Sequence, residues 1–453
     1  MLKATKRATA LAASVVVTAL TLAGCSSSDN GGSPVPSSSK AGQAEIDKAM
    51  NTPTTLTFWT WVSDIDDEVK LFEQKYPQIK VNVENVGQGP DQYQKLRTAL
   101  KSGNGAPDLA QIEYQHIPSF TITKSLLNLT PYGAGDLKSN YPEWIWNQVS
   151  QDGSVYAVPQ DSGPMGHLYR SDIMKKAGIT SPPKTWDEYA ADAKIVKEKT
   201  GSYIGDIASN EPVGMVGLLW QAGAQPFGFD GNKTVTIDVN SAEAKKVYSY
   251  WQNLIQQDLV STDPDFNDQW YQGFSNDKYA GWVTAAWGPL FLQGTVKDTA
   301  GKWAAAPLPQ WNAGDNVSGN WGGSTNAVLS TTKNPIAAYE LAKFINTDPA
   351  STKLLNTQQN LFPAMNSVLN EASFTDATSD FFGGQKINEL FAQISPTVNT
   401  KFQWLPFMDY AYSEFNNTVG NAMTNKGDLS AAADQWQDKL VGYAKQQGFT
   451  AQQ

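Results

Sequence analysis

The amino-acid sequence predicts an α/β protein built as two lobes. Residues 54–61, TTLTFWTW, are β-branched and aromatic and read as a strand. Ile65, Val69, Phe72 and Tyr76 then recur at near-helical spacing until Pro77 stops the run, and Ile79, Val81 and Val83 alternate with polar partners as the next strand. Strand, helix, strand within about 30 residues is a βαβ unit, whose sheet should be parallel. The body, from about residue 54 to 453, is too long for one ordinary core and should divide in two. No internal repeat of roughly 20 to 50 residues argues for a solenoid.

Ahead of that body, Lys3, Lys6 and Arg7 precede a short apolar run, Ala8 to Ala23, that ends in small residues. This pattern is that of a signal peptide, residues 1–24, rather than a permanent membrane span. It closes on Leu22-Ala23-Gly24-Cys25, and Cys25 is the only cysteine in 453 residues. After Cys25, residues 26–53 open with SSSDNGGSPVPSSSKAG, which cannot bury enough surface to order itself, so 25–53 reads as that cysteine and a flexible tether.

Within the body, Ser63, Asp64, Asp66 and Asp67 suit a helix start, where free N–H groups favour oxygen acceptors and negative charge. Tyr93 to Leu100 reads as helix, ended by Gly103, Gly105 and Pro107, and residues 108–112 as a short strand. Glu113 and Tyr114 follow that strand directly, and residues beyond the C-terminal end of a parallel strand face the ligand crevice of open α/β sheets. Residues 155–159 are extended and lead to Gln160 and Asp161. Residues 186–197 and 241–257 read as helices, 279–283 as a strand followed by Trp287-Gly288-Pro289, and 309–323 as loop. Residues 327–330 read as a strand, Asn334-Pro335 as a capped helix start, and 431–445 as a helix.

Composition excludes several classes. The chain has 34 basic against 44 acidic residues, and residues 1–24 hold three of the basic and none of the acidic ones, so the processed chain is more acidic still. Nucleic acid is therefore disfavoured as a partner. A single cysteine allows no internal disulfide and no cysteine metal site, and the two histidines, His116 and His167, have no ligand-spaced partner. Both are expected to be structural or surface residues, with no metal, no cofactor and no catalytic group. Fifteen Trp, 17 Tyr and 18 Phe are more than a weakly charged chain needs for its core, and the surplus suits stacking on flat or weakly polar ligands.

The order and spacing of LTFWTWVSDIDDEVKLFEQKYPQIKVNVE, GNGAPDLAQIE, GSVYAVPQDSGPMGHLYRSDIMKKAGI, PPKTWDEY and GNWGGSTNAVLSTTKNPIAAYELAKFI resemble the extracellular solute-binding proteins of sugar ABC importers, the family that includes maltose-binding protein. LAGC is similar to the lipobox of bacterial lipoproteins, whose cysteine carries lipid. The resemblance implies a periplasmic-binding-protein-like (type II) fold, with a cleft between lobes joined by hinge strands. Lobe one would be 54–160 plus 316–367, and lobe two 161–315 plus 368–453. It implies capture of a sugar, expected to be an oligosaccharide, and delivery to the permease subunits of an ABC importer. The protein would be a monomer held by lipid on Cys25 at the outer face of the cytoplasmic membrane of a Gram-positive cell.

By the same resemblance the ligand should meet Trp61 and Asp64 after the first strand, Glu113 and Tyr114 after the third, and Asp161 beside the hinge. Trp287 should form a platform in the second lobe, with Asn320, Trp321, Gly322 and Gly323 in a glycine-rich turn. Trp220 and Phe362 are weaker candidates. These types suit a sugar, whose apolar ring face stacks on an indole and whose hydroxyls pair with carboxylates and amides. The competing expectation is a secreted glycoside hydrolase using Asp161 and Glu113 as its two carboxylates. A passive cell-wall carbohydrate module, or a binding protein for a non-sugar solute such as a peptide, are the others.

Overall fold

Leu56 and Phe58 point into the core from Thr54–Trp59 and are fully buried, as the alternating pattern requires. A computed structural model describes residues 40–453. Cys25 and the expected signal peptide lie outside the described residues. Thr54–Trp59 pairs parallel with Ile79–Glu84 on one side and with Leu109–Glu113 on the other. The connecting helix Asp66–Lys75 lays Val69 and Phe72 on the sheet and ends before Pro77.

The parallel expectation holds for these three strands only. The sheet is completed by Ser324–Val328 and Val158–Pro159, in the order Ile79–Glu84, Thr54–Trp59, Leu109–Glu113, Ser324–Val328, Val158–Pro159. Ser324 pairs with Glu113 and Val328 with Leu109, so this strand runs antiparallel. It enters the sheet at the C-terminal end of its neighbour because the chain arrives there from the second lobe. It also begins earlier than its apolar residues suggest. Ser324, Thr325 and Asn326 are buried, and their side chains bond Gln111, the Ile112 carbonyl and Asn346.

The second lobe carries an antiparallel sheet, Gly281–Ala285, Met165–Arg170 and Trp303–Pro307. Helices Trp186–Thr200, Pro212–Gln221, Ala242–Gln256 and Leu429–Gln446 supply an indole-rich core in which Trp186, Trp220, Trp251, Trp270, Trp303 and Trp436 are fully buried. Trp220 stacks on Phe402 at 4.1 Å, and Phe362 packs on Phe374 and Phe391, so both weaker candidates are core residues. His167 is buried without a hydrogen-bond partner, and burial lowers its pKa to about 4, which keeps it neutral.

Three segments connect the lobes side by side. Ser162 N–H donates to the Phe362 carbonyl at 3.0 Å, Trp321 N–H to the Gly163 carbonyl at 2.8 Å, and Met165 N–H to the Gly319 carbonyl at 3.0 Å. A Cβ on Gly163 would lie 1.9 Å from the Trp321 carbonyl oxygen, so only glycine allows this approach. The expected tether is shorter than 25–53. Gln43–Met50 is a helix with Met50 buried, and it packs against Pro335–Thr347, because its few apolar residues find a partner in the folded body that local composition does not reveal.

Candidate functional site

The cleft faces are built where strands end and the connecting segments begin. Glu113 closes Leu109–Glu113, and its Oε2 accepts from Tyr93 Oη at 3.0 Å. Burial is the main cause of its raised pKa. Asp161 lies on the first connecting segment, and its Oδ1 accepts the Ser324 N–H at 2.8 Å. Its pKa is also raised by burial, against which the two Ser324 bonds act.

Trp287 and Trp321 form one unit. Trp287 Nε1 donates to the Trp321 carbonyl at 2.8 Å, and the rings meet edge to face at 5.1 Å and 88°. Trp321 is 8% exposed, whereas Trp287 is only partly buried and offers more ring surface. Gly322 and Gly323 adopt φ of 80° and 93°, a left-handed turn that side chains disfavour, and a Cβ on Gly323 would meet the Tyr114 ring at 2.6 Å.

Other expected contacts serve the frame. Asn320 spends both ends of its amide on the turn: Oδ1 accepts the Gly163 N–H at 3.0 Å and Nδ2 donates to the Gly322 carbonyl at 2.8 Å. Tyr114 is fully buried and donates its hydroxyl to the Asp161 carbonyl at 2.9 Å. Trp61 is partly buried, edge-on to Tyr93 at 6.2 Å. Asp64 is exposed, with φ of 58°, and its carbonyl accepts from Gln359.

The structure adds four residues that sequence reasoning did not single out. Phe266 is 39% exposed, with φ of 56°, unusual for a bulky residue, and it sits 6.1 Å from Trp287 and 6.5 Å from Trp321. Glu211 caps Pro212–Gln221 through Val213 N–H, and burial, then Asp265, push its carboxyl up to about 8. Asp265 is pushed up to about 7 by burial. Tyr412, from Met408–Phe415, has a buried hydroxyl without a partner, and Glu211 and Glu113 both act on it. For Glu211, Asp265 and Phe266 the only sequence signal was acids beside proline in two loops, 209–212 and 263–266, and Tyr412 had none. At the rim, Arg97 Nη2 pairs with Asp409 at 2.8 Å, and buried His116 lies 3.4 Å from the same carboxylate. Burial lowers the His116 pKa to about 4.

Among the described residues no group of three or more His, Cys, Asp or Glu could hold a metal ion, and no helix is long and apolar enough to cross a membrane. The family model described as bacterial extracellular solute-binding protein matches residues 59–351. The chain belongs to that family. It is a solute-binding protein and not an enzyme, and the two-lobe type II fold is shared with solved members. One is the ABC-transporter-associated binding protein of Bifidobacterium animalis subsp. lactis in complex with β-1,6-galactobiose. It is 33% identical, with a TM-score of 0.76, covering 89% of this chain and 100% of that one. Another is the galacto-N-biose/lacto-N-biose I-binding protein of Bifidobacterium longum with lacto-N-biose, 27% identical, TM-score 0.77, covering 88% and 98%. An arabinooligosaccharide-binding protein of Halalkalibacterium halodurans is 25% identical over 77% of this solute-binding protein and 80% of its own length.

Proposed function

We propose that this protein captures a short oligosaccharide outside the cell and delivers it to the permease subunits of an ABC importer. The observation that carries the reading is the meeting of a part-exposed aromatic platform, Phe266 and Trp287, with desolvated carboxylates at the junction of the lobes. A sugar ring has an apolar face for the first and hydroxyl donors for the second. Solved relatives with bound disaccharides support the same class of ligand. Trp61, Glu113, Asp161, Trp287 and Trp321 would meet the ligand, with Asp64 at the cleft edge and Tyr114, Asn320, Gly322 and Gly323 shaping the connecting segments. The lobes would be 54–160 plus 316–367 and 161–315 plus 368–453, closing as a hinged pair around the sugar. The protein would act as a monomer, tethered by lipid on Cys25 to the outer face of the cytoplasmic membrane.

Calorimetric titration of the purified protein with lactose, β-1,6-galactobiose, arabinobiose and maltotriose tests the ligand class. Saturable heat with at least one of them is expected, and a flat response to all, alongside binding of a peptide pool, would overturn the reading. For the anchor, Cys25→Ala should move the protein from the membrane fraction to the medium or leave its leader uncleaved. An unchanged membrane fraction would refute lipidation.

A further inference from the structure

Beneath the aromatic platform lies a cavity of about 20 Å³, room for one water-sized group, bordered by Asp206, Glu211, Asp265, Trp282 and Trp321. Its carboxylates differ in what they have left to offer. Asp206 is fully engaged: Oδ1 accepts the Asp263 N–H at 3.0 Å and Oδ2 accepts Trp270 Nε1 at 3.1 Å. Glu211 spends Oε1 on the Val213 N–H at 2.9 Å and keeps Oε2. Asp265 is 5% exposed, and neither of its oxygens is in hydrogen-bond geometry with any donor, although the Asn210 amide and its own backbone N–H lie close enough to offset part of the burial. A buried carboxylate with no partner is costly unless something that binds there supplies one.

We infer that this cavity receives the protonated amino group of an amine-bearing saccharide, so that the cleft selects basic sugars over their neutral counterparts. The inference rests on the saccharide reading above. Donor arithmetic favours it. A sugar hydroxyl has one proton to give and no charge, so it leaves in place the proton that burial holds on Glu211 up to about pH 8 and brings the two carboxyl groups no counter-charge. An ammonium group is about the size of water, carries three N–H donors, and cancels the repulsion that Glu211 and Asp265 exert on each other. No lysine or arginine is among the groups acting on either carboxylate, so the protein brings no cation of its own to that place. The two indoles that border the cavity add attraction for a cation near their faces. A metal ion is the poorer occupant, because these carboxylates do not gather into a metal-holding group.

The test is calorimetry at neutral pH with matched pairs. Glucosaminyl-β-1,4-glucosamine is set against cellobiose and against its N-acetylated form, and lactosamine with a free amine against lactose. The amine member of at least one pair should bind about tenfold or more tightly than its hydroxyl counterpart, the scale of a charge-assisted hydrogen bond to a buried carboxylate. Asp265→Asn keeps the shape and removes the charge. It should erase that preference by costing the amine member about tenfold more affinity than its neutral counterpart, and thermal melts of the ligand-free variant establish that it folds. Preference for the neutral member in every pair, equal affinities throughout, or an equal loss for both members in Asp265→Asn overturns the inference while saccharide capture stands. If no sugar binds, amine-bearing or neutral, saccharide capture itself falls.

Discussion

Replacing Glu211 by Gln should make the ligand-free protein more stable by a margin that grows as pH rises from the ordinary carboxyl range to about 8. Gln keeps the oxygen that accepts the Val213 N–H, so the helix cap survives. The folded-state carboxyl is pushed up to about 8 from an ordinary 4.5 by burial and by Asp265. A raised carboxyl favours folding while its proton stays on. Between the ordinary value and about 8 the unfolded chain releases its proton and the folded chain does not, so stability falls as pH rises through that window and is level above it. A span of about 3.5 pH units at about 1.36 kcal/mol each is a ceiling of about 5 kcal/mol. The Gln amide must itself leave water, at about 1–3 kcal/mol, so the net gain is about 2–4 kcal/mol. With unfolding entropy of about 2.1 cal/mol/K per residue over roughly 400 residues, the Tm should rise by about 2–5 °C near pH 8.5. Paired melts near pH 4.5 and 8.5 are the assay. An equal change at both pH values, or a fall at the higher one, would refute a desolvated, charge-crowded carboxylate at this place.

Trp287→Ala should weaken the sugar that binds by about thirtyfold, about 2 kcal/mol, with little change in Tm because the ring is only partly buried, and Trp287→Phe should recover part of the affinity. A large fall in Tm with unchanged affinity would make it a packing residue. Asp161→Ala strands the Ser324 N–H and should cost the ligand-free protein about 1–3 kcal/mol, and an unchanged melt would remove Asp161 from the frame. Arg97→Ala breaks a part-exposed ion pair with Asp409, so affinity should fall by no more than about fivefold, mainly through faster dissociation in stopped flow, and less so at high salt. An effect insensitive to salt would exclude the ion pair as its cause.

The opening βαβ unit was legible because alternation, helical spacing and Pro77 all act locally. Ser324–Val328 was legible only at its apolar end, since the burial of Ser324, Thr325 and Asn326 depends on partners that lie far away in the chain. Trp287 and Trp321 could be singled out because indoles beside glycine and proline stand out in any sequence. Glu211 and Asp265 could not. Acids in loops are ordinarily solvated, and what makes these two unusual is desolvation where distant segments meet. Tyr114 stood out because it directly follows a strand, and Asn320 through the family resemblance, yet their bonds are to the backbone of the connecting segments.

The place of Ser324–Val328 in the first sheet sets an order of assembly. It lies between Leu109–Glu113 and Val158–Pro159, two strands made long before it. Until residue 328 has left the ribosome, those two strands have a vacancy between them, and Leu109–Glu113 presents an unpaired edge. The first lobe of this protein therefore cannot mature as an early unit during synthesis, although most of its residues come first. Closure of the sheet must wait for a loop of some two hundred residues, which makes the step slow and leaves the growing chain open to chaperones or to passage across a membrane before it locks.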